Sequence, residues 1–510
     1  MSKEKDKDKE KEKEKEKSPL EKDLERNTVN IRAVMKNTSD LNIKYAKAGG
    51  VPICILFCEG QTDTNQMANL IFRPVNAIGN DKKLAPERVL EMIERELLLA
   101  GEQKQVATYE ELSSFIMGGF CVLLIDGVSV GTAIGVQGFA TRSIEEPSTQ
   151  QNLRGSHEGF VEAIRTNMSM IRRRIKSPDL VFKLDKVGDL SNTDICLCYL
   201  ESKADRKLLA AVERRLKQLP LDTVLESGYV QPFLEENGEA VFAEAGVTER
   251  PDVMAARLYE GRIGILVDGT PFALLVPHLF TENFQTLDDY TQKPAYVTII
   301  RVLRYIAFLT SVLLPGFYVA IANFNPELIP DSLLLNLAAS IQITPYDLLT
   351  ECLLIHVFYE IMREAGLRMP SNLGHAVSIV GGIVIGDIVV SAGLVGAPMV
   401  LIVAVSSIAS FIVPELYNDI VVMRFSFILA GGMWGLFGIT TVGMLFLLKI
   451  CSMEAYGVPY TAPVSPFSLH SMRDTVIRAD WRFLSRSGFN VRALNGARIG
   501  KGNGKRNAER

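Results

Sequence analysis

Asp387 sits in the middle of residues 376–396, a run otherwise made of apolar and small side chains. An isolated charge at such a position costs at least ~2.5 kcal/mol in a bilayer, so the carboxylate must face a bundle interior, a partner or water. Two roles suit it equally. One acid per subunit of a ring would line a pore with negative charge suited to cations, or a packed, proton-bearing carboxyl would sit inside the bundle. Small residues accompany it: Ser378, Gly382 and Gly386 fall on one helical stripe, with Gly393 seven positions further, and Gly431, Gly435 and Gly438 form another. Such stripes let apolar helices approach closely, and packing within one chain would explain both.

A second polar set interrupts residues 346–362, where Asp347 with Glu351 and His356 with Glu360 are i, i+4 pairs. Each is costly against lipid, so this segment is expected to be an amphipathic or bundle-buried helix. Cys352 and His356 share a face, but a lone His-Cys pair makes a poor metal site. Cys54 with Cys58, and Cys196 with Cys198, lack further partners at zinc spacing. Cys196 and Cys198 stand two apart, on one face of a buried strand. The seven cysteines are expected to be reduced core thiols.

No Ser-His-Asp or Cys-His set has supporting context among the five histidines, and no GxxxxGK[ST] loop is present to cradle phosphate. The sequence therefore offers no catalytic residue, no metal and no cofactor, and the chain is not read as an enzyme. With 55 Lys and Arg against 59 Asp and Glu, nothing calls for nucleic acid.

Away from the apolar half, Arg165, Arg172, Arg173 and Arg174 form the basic end of an amphipathic helix expected over 157–175. Glu249-Arg250-Pro251-Asp252 reads as a capped helix start. These side chains suit domain or subunit contacts, or a solvated helix face. The elements around them are a buried strand at 51–58, a helix at 86–101 ended by Gly101, and a hairpin at 118–136 turning at Asp126-Gly127. After the 157–175 helix come a strand at 194–200, a helix at 203–219 and a hairpin at 260–277 turning at Asp268-Gly269. The likeness of the two Asp-Gly hairpins suggests that each domain ends with a similar element, and turn formation is the simplest role for both aspartates.

The predicted fold class is two mixed α/β soluble domains followed by an α-helical polytopic transmembrane domain. Its parts are a disordered charged tail (1–30), an α/β domain (40–140), a second (150–290), a transmembrane helical domain (298–450) and a basic tail (451–510). Segments 303–322, 376–396, 398–414 and 425–448 are long or apolar enough to span, the middle two joined at Gly396-Ala397-Pro398. The tail from 473 holds ten Lys or Arg against three acids, whereas the loop 323–345 holds Glu327 and Asp331 and no base. By the positive-inside rule the C-terminal tail is expected to be cytoplasmic, and the N-terminal domains are expected on the same side because the chain opens with a charged run rather than a charged-then-apolar signal peptide. That favours four crossings, with 346–362 not fully crossing, although Arg363 and Arg368 leave five or six open.

The central run resembles a known family. RGSHEGFVEAIRTNMSMIRRRI (154–175), ESGYV (226–230), TERPDV (248–253), EGRIGILVDGTPF (260–272), DDY (288–290), REAGLRMP (363–370) and SIVGG (378–382) resemble, in order, the motifs of GerA-family spore germinant receptor A subunits. The likeness covers about residues 140–450, and more weakly from 40. The chain departs where Ser156-His157 replaces the family's usual Pro-Arg, where Gln150 or Gln151 stands for a Glu, and at Asp387, often Gln or a small polar residue. The related SpoVA-operon F protein shares the architecture.

The resemblance implies a multi-pass protein of the inner spore membrane, working with a permease-like B subunit and a lipoprotein C subunit. It implies a homo-oligomeric ring that releases monovalent cations when a nutrient binds. A non-conducting scaffold and a secondary transporter are the other classes; four or so spans are few for a transporter of inverted repeats.

Overall fold

The computed structural model describes residues 18–79, 84–97, 102–138, 147, 150, 155–236, 241–369, 382, 384–467 and 471–480. They form two units, one drawn from 1–238 and 244–278, the other from 239–243 and 279–487. Most of the charged tail expected over 1–30, and Gly101, Gln151, Arg154 and Ser378, lie outside the described residues.

The first unit is built twice on one plan. Its first half holds α1 (Leu24–Val34), β1 (Leu41–Ala48), β2 (Val51–Cys58), β3 (Gln103–Val106), α2 (Tyr109–Met117), β4 (Phe120–Ile125) and β5 (Gly131–Gly135). The second holds α3 (Ile164–Arg174), β6 (Leu180–Val187), β7 (Thr193–Leu200), α4 (Arg206–Lys217), α5 (Ser227–Leu234), β8 (Gly246–Thr248), α6 (Pro251–Tyr259), β9 (Ile263–Val267) and β10 (Ala273–Val276). The sheets run β1-β2-β4-β5-β3 and β6-β7-β9-β10-β8, the same order place for place.

β2 is apolar throughout because both its faces are covered. Cys54, Leu56 and Cys58 pack with Ile31, Leu112 and Ile116, while Ile53 and Ile55 pack with Met67, Ile71 and Val89. Each Asp-Gly turn does more than reverse the chain. The Asp126 carboxylate accepts the Leu24 N–H at 3.2 Å and the Gly127 N–H reaches the Lys22 carbonyl at 2.8 Å. In the second half Asp268 accepts the Ile164 N–H at 3.0 Å, and the Gly269 N–H reaches the Glu162 carbonyl at 2.9 Å. Both turns therefore anchor the start of their half's first helix.

The helix expected over 157–175 begins only at Ile164, because the backbone before it is used elsewhere: the Phe160 N–H donates to the Glu249 carbonyl at 2.7 Å. The helix expected from 86 is α-helical to Glu91 and widens to a π-helix over Met92–Leu97.

The second unit is helical: α7 (Pro294–Phe324), α8 (Asp331–Ile343), α9 (Leu348–Arg368), α10 (Ala397–Ser410) and α11 (Tyr417–Ser452). α8 occupies the segment read as a loop, and α9 continues past 362. Among the described residues, two runs, Pro294–Phe324 and Pro414–Ser452, are long and apolar enough to cross a membrane. The second is not one rod. Gly435 takes φ 60° and ψ −144° inside α11, and the rings of Phe427 and Phe446 lie 5.9 Å apart. A straight helix would separate their positions by about 28 Å. α11 is therefore two arms folded back on each other at a residue that only glycine accommodates without strain. Just past α11, Met453 and Tyr460 share one buried cluster with Phe242 and Phe284.

Candidate functional site

The basic end of α3 supplies the joint between the halves of the first unit. Arg172 is fully buried, with Nε donating to Asp40 at 2.8 Å and Nη2 at 2.9 Å. Its remaining N–H groups reach the carbonyls of Ser177 and Leu180, both at 3.1 Å. Burial pulls the guanidinium pKa down and the Asp40 carboxylate outweighs it, so the net shift is upward. The Cys58 thiol, 2.9 Å from Asp40, is pushed well up by burial and by that charge. Around this pair the Ser39 N–H meets the Phe182 carbonyl at 2.8 Å, Gln61 donates to the Ser169 carbonyl at 2.9 Å, and Arg165 pairs with Glu59 at 3.1 Å.

The other basic and motif residues stay within the second half. Arg173 and Arg174 both hold Glu158, whose carboxyl burial raises and these two arginines lower, the arginines prevailing. Arg250 pairs with Asp252 at 2.7 Å and donates to the carbonyls of Gln150 and Ser156, each at 3.0 Å. Glu249 is buried beside it. Cys196 and Cys198 lie on one face of β7, both buried.

In the helical unit the polar residues of α9 have separate tasks. Asp347 caps α9 through Thr350. Glu351, buried, accepts the Gly396 N–H at 2.8 Å and so holds the residue that begins α10. His356 donates Nδ1–H to its own helix at the Cys352 carbonyl, 2.8 Å away. Glu360 accepts the Tyr417 hydroxyl at 3.0 Å and pairs with Arg363 at 3.0 Å. Among the described residues no three His, Cys, Asp or Glu side chains gather as a metal would need.

The two small-residue stripes behave differently. A Cβ on Gly316 would stand 2.5 Å from the Phe427 carbonyl oxygen, and one on Gly431 would stand 2.5 Å from that of Gly316, so α7 and α11 meet backbone to backbone. Gly435 and Gly438 lie in the fold-back of α11 itself. Among the described residues Gly382 and Gly386 meet nothing within 4 Å, and Asp387 beside them is exposed. Gly393, at φ 67°, turns the chain past Ile343 toward α10.

In the helical unit the sequence pattern did not single out two fully buried arginines. Arg301, near the start of α7, pairs with Asp289 at 2.8 Å and Asp474 at 2.9 Å, and Arg304 joins Asp289 at 2.9 Å. Burial raises the Asp289 carboxyl and these arginines lower it further than burial raises it. Arg424 of α11 is likewise fully buried. Both were visible as bases inside or bordering apolar helices, which is the signal that would have found them.

The family described as Bacillus/Clostridium GerA spore germination protein matches residues 29–488. Spore germination protein KA of Bacillus subtilis is 38% identical, over 90% of this chain and 85% of its own length. The uncharacterized membrane protein YfkQ of the same organism is 33% identical, over 96% of this chain and 94% of its own. A crystal structure of the N-terminal domain of the A subunit of the Bacillus megaterium spore germinant receptor GerK3 aligns with 52% of this chain and 98% of that one, at 31% identity and TM-score 0.42. Matched along nearly all of its folded length by that family and by relatives of similar extent, the chain belongs to the GerA family of spore germination proteins.

Proposed function

We propose that this chain is the A subunit of a spore germinant receptor and that several copies assemble in the inner spore membrane as a nutrient-gated cation channel. Asp387 carries this reading. It is an exposed carboxylate on an apolar helical segment, beside two glycines whose open faces meet no group among the described residues. Against lipid that arrangement is costly. Against other copies around water it is not, and one carboxylate per copy makes an acidic ring. The relative YfkQ is described as a membrane protein, and the long apolar helix α7 together with the two apolar arms of α11 supports placement in a bilayer. A permease-like B subunit and a lipoprotein C subunit are the partners this reading assigns, with the α/β halves and the basic tail in the cytoplasm.

The test is potassium flux from liposomes holding the chain with its partners, together with crosslinking for ring formation. Asp387→Asn is expected to lower conductance or cation preference. Unchanged flux would remove the acidic ring. A chain that never crosslinks to itself and never conducts would be a scaffold instead.

A further inference from the structure

Four helices of the second unit converge on polar groups that the reading above does not use. Arg424 of α11 is 0% exposed. Its Nε donates to the Ser311 carbonyl of α7 at 2.9 Å, while Nη1 and Nη2 have no hydrogen-bond partner among the described residues. The carboxylate beside it, Glu360 of α9, stands 3.7 Å from Nη1 and is already engaged by Arg363 and the Tyr417 hydroxyl. The next acid along α9, Glu364, is taken by Arg368 at 2.7 Å. Three guanidiniums thus share two carboxylates, and the one left in excess is the one buried deepest.

Further polar atoms gather there. The buried hydroxyls of Tyr359 (α9) and Ser407 (α10) lie side by side, with that of Tyr417 also near Tyr359, and neither makes a well-formed hydrogen bond among the described residues; Tyr359 is in turn within electrostatic reach of Arg424. His356 Nε2 is buried without a partner as well. A guanidinium does not give up its proton in proteins, so burial cannot be relieved by neutralisation. Water would satisfy N–H groups but not the charge. Donors outnumber acceptors and the net charge is positive, which selects a ligand that is both an acceptor and an anion.

We infer that this cluster is a binding site for a small monovalent anion, a halide or a short carboxylate. Arg424 is its charge partner, and Tyr359 and Ser407 are its further donors. The site would serve a conducting ring and a non-conducting scaffold alike, so its fate is separate from that of the channel.

The test is the unfolding temperature of the detergent-purified full chain at constant ionic strength, with the bulky anion gluconate replaced by chloride, bromide or formate. A ligand that binds only the folded state raises that temperature saturably. The expected result is such a rise with at least one small anion. A rise with halides alone, or with formate alone, says which source of charge the site takes. Tyr359→Phe and Ser407→Ala should each raise the half-saturating concentration about tenfold, the worth of one hydrogen bond to a charged group. Arg424→Gln should abolish the rise. Identical unfolding in all salts would mean that water alone occupies the cluster, and a rise untouched by Tyr359→Phe and Ser407→Ala would put the anion elsewhere. Either result overturns the site, and the two hydroxyl variants decide it if Arg424→Gln does not fold.

Discussion

Arg172 and Asp40 face each other in a two-bond ion pair, at 2.8 and 2.9 Å, across the seam between the halves of the first unit. Removing one partner strands the other charge away from water. Arg172→Met or Asp40→Asn should each cost about 3–5 kcal/mol, and replacing both with apolar residues should cost less than the sum. Denaturant unfolding of the single and double variants gives the coupling, and strictly additive losses would argue against a paired joint.

Asp126 and Asp268 occupy the same place in the two sheets and hold the same place in the first helix of each half. Asp126→Ala and Asp268→Ala should each cost about 1 kcal/mol, as loss of a capping carboxylate does. The double variant should lose their sum, since the turns belong to separate sheets. Unequal losses would mean that the repeated geometry is not a repeated energetic role.

Alanine at two pairs of glycines should act in opposite directions. Ala normally stabilises a helix interior by about 1 kcal/mol over Gly. At Gly316 and Gly431 the added carbon meets a backbone oxygen at 2.5 Å, so Gly316→Ala and Gly431→Ala should lower the unfolding temperature of the purified chain. Gly382→Ala and Gly386→Ala meet nothing within 4 Å among the described residues and should leave it unchanged or raise it.

Asp289 gives a pH signature. Burial pushes its carboxyl up and the Arg304 and Arg301 contacts push it down further, leaving it below its ordinary value. A depressed folded value means that the stabilisation is complete above the unfolded pKa, about 3.9, and is lost as pH falls through the folded one. Acid unfolding of Asp289→Asn should begin from a lower stability near neutrality and show a shallower fall below about pH 4. An unchanged acid profile would remove Asp289 as a contributor.

The sequence alone determined what local chemistry dictates. The unbroken apolar run of β2 demanded cover on both faces, and the Asp-Gly turns after β4 and β9 followed from backbone freedom at glycine. The lengths of the apolar stretches followed from hydropathy, and the ordered motifs were enough to suggest the family. Only the tertiary structure could decide what depends on residues far apart in the chain. The start of α3 was displaced to Ile164 because Phe160 pairs with Glu249. A stretch that reads as one straight span folds back at Gly435, since glycine is common in apolar helices and its φ is not written in its neighbours. Nothing in the chain beside Arg172, Arg301 or Arg424 marks out their partners: Asp40, Asp289 with Asp474, and Glu360 are set by packing between elements, which no spacing along the chain encodes.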